Sequence, residues 1–473
     1  MGTINSAFSI MSGALDADQE ALNVVATNVA NANTPGYTRE TPGWQENQPI
    51  AAGGVSYGQG VTETGATSER NRVLEARLDQ QQQLASASGS RLTALNTLQA
   101  LFTPDSGSSG STAGDIGADI TSFFDSFSSL EANPTNNALR QNVLSTAGTL
   151  AADISNAATS LNAQRAALDQ EAAGVTSQVN SLTSAIAQLN QQIETTSPNA
   201  DAGTLEDQRQ QDLSQLSQLI GINQITTENN GLAITTTSGQ LLVSEGSSCQ
   251  LTTGTVNGVT SFYLGNTDIT SQLAAGGGSL GGDLTARDED IPGAIHSLDQ
   301  LAYGISTAVN AQNNAGTDLN GNAGTAANPL YIFSQPTAVA GSAASMSVVM
   351  TDPNQIAAAG AGDGTGDNSN AVALANLANQ PAVTGQTPAG YYSSFVSTLG
   401  ATVSNVQTEN TAESASVTQL QAQNNALSGV NLNDEASSMT TLERSYQAAS
   451  QVFAMLNTIL ASALNLGDQT SVS

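Results

Sequence analysis

The stretch VANANTPGYTRE, Val29 to Glu40, decides how this chain is organised. Ahead of it Ile4, Phe8, Met11, Leu15, Leu22, Val25 and Val29 recur at spacings of three and four, with one position skipped at Asp18. That is the seam of a helix with a single apolar stripe. The quoted stretch then stops the helix. Asn31 and Asn33 carry side chains that tolerate turn geometry, Pro35 pushes Thr34 toward extended conformations, and Gly36 permits positive φ. Tyr37 and Arg39 are presented just beyond the break, at the start of an extended, glycine-rich passage in which Trp44 and Tyr57 are expected to act as anchors.

The far end of the chain repeats the pattern. Met439, Leu442, Tyr446, Ala449, Phe453, Leu456, Leu460 and Ala463 follow a strict alternation of threes and fours. A one-stripe helix cannot bury its own apolar face, so each terminal helix needs a partner. Two arrangements meet that need: an intramolecular pair, or a pair that also packs on copies of the same chain. Spacing does not separate them.

Between the termini, helical periodicity resumes near Asn71, breaks at a Ser-Gly link over 103–115, and returns in a long helix carrying one apolar frame from Leu150 to Ile193. Leu205, Leu213, Leu216 and Ile220 run back as its antiparallel partner. From Ile222 to about Ile269 the period becomes two, with turn pairs Asn230-Gly231, Ser238-Gly239 and Asn257-Gly258. Helix is expected again from Pro292 to Asn313, and over 369–380 and 389–428. The expected fold is mainly α with an inserted small antiparallel β domain. Its plan is nested and rod-like, with N- and C-terminal helices paired in a coiled coil and long helical hairpins next to them. The expected divisions are 1–35 with 429–473 (terminal helices), 36–70 (extended connector), 71–221 with 292–315 and 369–428 (long-helix bundle), 222–291 (β domain) and 316–368 (loop-rich outer segment with weak β signal).

Composition narrows the function. Only 4% of residues are aromatic, so any core is thin and aliphatic. All ten basic residues are Arg, and the formal net charge is −30. Such a field repels nucleic-acid backbones and anionic lipid, and the missing Lys removes Schiff-base chemistry and the lysine of a phosphate loop. Cys249 stands alone, which precludes an intrachain disulfide; it reads as a half-buried strand residue. The first twenty residues lack the basic and apolar regions of a cleaved secretory signal, and no apolar run is long enough to span a membrane.

No constellation argues for catalysis. His296, the single histidine, falls on an amphipathic helix and reads as exposed and structural. In TDLNGN, Asp318, Asn320 and Asn322 imitate a calcium loop, but Gly321 comes one position early and no Glu closes it. Asp363 and Asp367 are equally loose. Asp288, Glu289 and Asp290 read as the solvated start of a helix, and GGGSLGG lacks the strand-to-helix context of a phosphate loop. No metal or cofactor site is expected.

Residues 26–40, ATNVANANTPGYTRE, resemble the amino-terminal signature of the bacterial flagellar axial proteins, the family of rod, hook and hook-associated subunits. The Pro-Gly-Tyr-Thr-Arg form resembles its hook-associated branch, since rod and hook subunits usually carry another residue for Pro35 and a Phe-Lys ending. Residues 132–154, 205–222, 277–324 and 426–466 resemble further segments of that branch, in the same order. Departures exist: Asp283 and Ala286 stand where the family more often has an apolar or aromatic residue, the aromatic residues expected after NGNAG are displaced to LYIF, and 335–385 is short. The resemblance implies a structural, non-enzymatic subunit joining hook to filament. It is exported without a cleaved signal peptide to the extracellular flagellum, where its terminal helices line an inner tube and order on docking. Implied partners are the hook subunit, a second hook-filament junction protein, copies of itself in a ring, and an export chaperone on the C-terminal helix. The implied assembly seam sets Ile4, Phe8, Met11, Leu15, Leu22, Val25 and Val29 against Met439, Leu442, Tyr446, Phe453, Leu456 and Leu460; the signature turn comprises Asn31, Asn33, Pro35, Gly36, Tyr37 and Arg39. A rod or hook subunit, or a secreted adhesin working through the β region, are the alternatives.

Overall fold

A computed structural model describes residues 2–52, 55–102, 115–197 and 200–469. The Ser-Gly link over 103–115 lies, apart from Asp115, outside the described residues. The chain forms two compact units, one built from 1–83, 178–251 and 413–473, the other from 84–177 and 252–412. As expected, the fold is mainly α with small antiparallel sheets.

In the first unit, helix α1 (Gly2–Asn31) packs against α11 (Leu432–Gln469). Ala17, Ala21, Val24 and Val25 are buried on α1. The small alanines let other elements approach closely, among them a β ribbon of β1 (Glu40–Glu46) and β4 (Val61–Ser68). The ribbon is antiparallel, with Glu40 opposite Ser68, and its register slips at Gly43 and Trp44. The slip is a bulge of the kind that re-aims side chains. Beyond it β2 (Ile50–Ala52) pairs with β3 (Val55–Tyr57). Trp44 and Tyr57 are 50% and 54% exposed, so they do not anchor the passage; the backbone ladder and α1 hold it.

The same unit takes the first residues of α2 (Arg72–Ala100), the last of α4 (Asn137–Thr196) and α10 (Pro388–Ser428), and all of α5 (Thr204–Leu219). Its four-stranded meander runs β5 (Ile222–Thr226), β6 (Leu232–Thr236), β7 (Leu241–Ser244), β8 (Ser247–Ser248). The first hairpin turns with positive φ at Asn229 and Asn230, one residue earlier than the Asn-Gly pair suggested. Cys249 is exposed and lies just past β8, not half-buried in a strand. Buried Asn190 on α4 donates to the carbonyls of Leu232 (2.7 Å) and Glu245 (3.0 Å), pinning the sheet to the helix.

The second unit has the larger core. Helix α3 (Ile116–Ala132) buries Ile116, Ile120, Phe123, Phe127 and Leu130. These meet Val143, Leu150 and Ile154 of α4 and Leu298, Ile305 and Val309 of α8 (Ile291–Ala315). The expected β domain over 222–291 divides. Strands β9 (Leu251–Val256), β10 (Val259–Leu264) and β11 (Thr267–Asp268) form a separate three-stranded sheet. Helix resumes at Thr270, not Pro292, through α6 (Thr270–Gly276), α7 (Gly278–Thr285) and a π-helical turn (Ala286–Asp290) that runs into α8. Glycine explains the concealed helix: a Cβ on Gly282 would stand 2.2 Å from the Ala87 carbonyl oxygen, so only glycine permits this approach of α7 to α2. The triplet Asp288, Glu289 and Asp290 therefore sits inside a continuous helical run. Buried Arg287 pairs with Asp288 and Asp169 at 2.7 Å each, and Arg91 with Asp290 at 2.8 Å.

Residues 316–368 form isolated bridges and no named strand. They are packed into this unit, where Leu330, Ile332, Phe333, Met346, Met350 and Ile356 lie in the core. Two amides of α8 replace the missing ladder. Asn310 accepts from the backbone of Ile332 and Phe333 at 3.0 Å, and Asn313 donates to the Leu330 carbonyl at 2.7 Å. Helix α9 (Ser369–Asn376) and α10 complete this unit.

Candidate functional site

The signature turn and the start of α11 build one polar cluster, entirely within the first unit. At the end of α1, Asn31 donates its amide to the Thr27 carbonyl at 3.1 Å, and its own carbonyl accepts the Thr34 N–H at 2.8 Å. Tyr37 N–H closes on the Thr34 carbonyl at 3.2 Å, across Gly36 at φ +80°. Asn33 and Pro35 are exposed. The turn thus carries Tyr37 back along α1 to Asn28.

Asn28 is 1% exposed. Its carbonyl oxygen accepts the Tyr37 hydroxyl at 2.8 Å and the Glu40 N–H at 3.0 Å, while its NH2 donates to the Glu40 carbonyl at 2.8 Å and to Glu435 at 3.3 Å. One buried amide therefore satisfies four groups. Glu435, on the first turn of α11 and 1% exposed, takes its charge partner from the turn: Arg39 Nε donates to it at 2.6 Å. Arg39 also reaches Glu69 at 3.0 Å, and its N–H donates to the Ser428 carbonyl at 2.8 Å. Residues about four hundred positions apart are thereby clasped.

A second layer supports the clasp. Asp207 on α5 accepts the Thr38 N–H at 3.1 Å and pairs with Arg70, which also holds Glu75 at 3.1 Å. Arg72 meets Glu206 at 2.9 Å. The electrostatics favour fastening over proton transfer. Hydrogen bonding to Glu435 raises the Arg39 pKa. Burial, then Glu40, Asp207 and Glu435, push the Tyr37 phenol well above its ordinary value, and burial with Asp207 and Asp201 raises Glu40.

The seam residues are partly brought together. Phe8 and Phe453 meet edge to face, with ring centroids 5.2 Å apart at 88°. Ile4, Met11, Leu15, Leu22, Met439, Leu442, Leu456 and Leu460 are half-buried, and Val25 is buried. Val29 is 39% exposed and Tyr446 36%, so both fall off the contact. In the last turn of α1 the inward position passes to Asn28. A separate face of α11 presents Val452, Met455 and Ile459 to solvent. Asn28 and Glu435 were absent from the residues singled out in the sequence. The stripe steps from Val25 to Val29 and passes over Asn28, so the apolar spacing carries no signal for it.

His296 is exposed on α8. Asp318 accepts the Asn320 N–H at 2.8 Å and the Asn322 N–H at 2.7 Å, so its own turn occupies it. Among the described residues no group of three His, Cys, Asp or Glu side chains could hold a metal ion.

Two family models match the chain: the flagellar hook-associated protein FlgK helical domain over residues 106–327, and the flagella basal body rod protein over 9–38. Flagellar hook-associated protein 1 of Escherichia coli is 27% identical over 96% of this chain and 98% of its own length. That of Salmonella typhimurium is 26% identical with the same coverage, and that of Bacillus subtilis 26% identical over 96% of both chains. The flagellar hook junction protein FlgK from Burkholderia pseudomallei shares the fold, with a TM-score of 0.64 at 20% identity, covering 74% of this chain and 99% of that one. The resemblance read from residues 26–40 is shown, and it extends along nearly the whole chain.

Proposed function

We infer that this chain, which carries the FlgK helical domain and aligns with hook-associated protein 1 along 96% of its length, is a structural subunit of the bacterial flagellum joining the hook to the filament. The carrying observation within the structure is the clasp between Arg39, Asn28 and Glu435, which sets the two terminal helices side by side as one apolar-seamed element. Its chemistry is that of a fastener: the Tyr37 phenol and the Glu40 carboxyl are pushed toward their neutral forms, and the Arg39 guanidinium is locked in an ion pair with Glu435. No catalytic role is assigned to it.

In this reading α1 and α11 form the assembly domain, ordering as the subunit docks, because one-stripe helices are marginal until packed. Half-buried Leu456 and Phe453 belong to the intramolecular pair, and exposed Val452, Met455 and Ile459 are free to meet copies of the chain in a ring. The hook subunit and a second hook-filament junction protein are the axial neighbours. Before export, a chaperone covers the apolar face of α11, and the chain then reaches the extracellular flagellum. The rod-protein match over 9–38 favours a second reading, a rod or hook subunit.

Electron microscopy of flagella after deletion of the gene, with an assay for flagellin in the medium, separates these. Hooks without filaments and flagellin shed outside are the expected result. Missing hooks move the subunit to rod or hook, and normal flagella overturn both readings.

A further inference from the structure

Beside the clasp, and within the same unit, lies a cavity of about 220 Å³ that the assembly role does not use. Its lip is the signature turn at Pro35 to Tyr37, and its walls come from α2, α5 and the end of α10. Three of the residues that line it each bury an oxygen with no hydrogen-bond partner among the described residues: Asp79 its Oδ1, Asn424 its Oδ1 and Ser428 its Oγ. Asp79 is 1% exposed, and its other oxygen is already engaged by the amides of Gln210 at 2.9 Å and Gln224 at 2.7 Å. No arginine pairs with it in the manner of Glu75, one turn earlier on α2, which Arg70 holds.

Burying an uncompensated carboxylate is costly, and proteins offset that cost with an ion pair or a metal. The cavity offers oxygen and no spare cation. We propose that it is a site for a hard divalent cation, Ca²⁺, held by Asp79, Asn424 and Ser428, with water completing the shell. Carboxylate, amide and hydroxyl oxygens suit such an ion, which accepts six to eight oxygens in flexible geometry. A cavity of this size has room for several waters around it. Because the ligands come from α2 and from the last two turns of α10, the ion ties these helices together. Ser428 supplies the carbonyl that receives the Arg39 N–H, so the same ion steadies the clasp.

The test is calorimetric titration of calcium chloride into the chelator-treated full chain, in about 0.1 M NaCl to screen surface charges. The expected result is one saturable site with Kd of about 10⁻⁴ to 10⁻³ M, the range of extracellular calcium modules. Asp79→Asn is expected to weaken it at least tenfold, and Ser428→Ala severalfold. Hydrogen exchange over 424–437 is expected to slow when Ca²⁺ is added to the parent chain and not to Asp79→Asn. Matching far-UV circular dichroism of parent and variants establishes that both are folded. If Asp79→Asn does not fold, Asn424→Ala carries the same expectation as Ser428→Ala. An isotherm unchanged by these substitutions, or only the weak unsaturable uptake of a chain of charge −30, overturns the proposal and leaves the cavity to water.

Discussion

Glu435 is a carboxylate with almost no contact with water, and Arg39 is its charge partner. Truncating Arg39 to Ala leaves that charge buried beside the Asn28 amide alone, and this is expected to cost about 2–4 kcal/mol, somewhat below a fully buried pair because Arg39 keeps some exposure. Equilibrium urea unfolding, followed by a probe in the first unit, measures it. The double variant Arg39→Ala/Glu435→Gln is expected to recover a large part of the loss; a loss unchanged in the double variant would show that Arg39 acts through Glu69 or Ser428 instead. At this scale the sequence is half legible. Tyr37 and Arg39 stand out because a helix stop presents them. Asn28 and Glu435 do not, because one falls beside the stripe, next to Val29, and the other looks like an ordinary acid at a helix start. Their role depends on each other's position, which local pattern cannot carry.

Among the helices, α11 shows how periodicity succeeds and where it ends. The three-four stripe takes in Met439, Leu442, Phe453, Leu456 and Leu460, which are half-buried, and also Tyr446, which is exposed, and it says nothing of the second apolar row at Val452, Met455 and Ile459. Leu456→Asp is expected to keep the middle of the chain folded and abolish incorporation into flagella, read by immunogold labelling of hook tips. Helix α3 went unread because it falls between a Ser-Gly link and a Pro-containing turn, and α7 because its glycines look like loop. That same α7 carries Asp283, 5% exposed, where burial pushes the carboxyl up to about 6 although Ser90 donates to it. A pKa raised by folding means that the protonated form is favoured in the native state. Its stabilising contribution is present below about 4 and lost as pH rises through about 6. Asp283→Asn is therefore expected to raise the urea midpoint at pH 8 and leave it nearly unchanged at pH 4; an equal effect at both pH values would assign the gain to packing.

Taken whole, the chain consists of two units, each gathered from discontinuous stretches, with α2, α4 and α10 contributing residues to both. The mainly α class and the returning ends were legible, because long single stripes at both termini demand partners. The partition of the β region was not. Strands at 222–248 and 251–268 look like one run, and only the tertiary partners separate them: Asn190 for the first, Asp169 and Arg287 for the second. Arg39 and Glu435 are 396 positions apart, and this makes closure late. A chain emerging from its amino end has Asn28, Tyr37 and Arg39 waiting without their counterpart until all but the last few dozen residues have followed. Non-local contacts of this kind form slowly, since chain entropy must be lost before they return any stabilisation. A chain without the segment that carries Glu435 cannot form the Arg39 ion pair. The clasp is available to the first unit only once the segment carrying Glu435 is present.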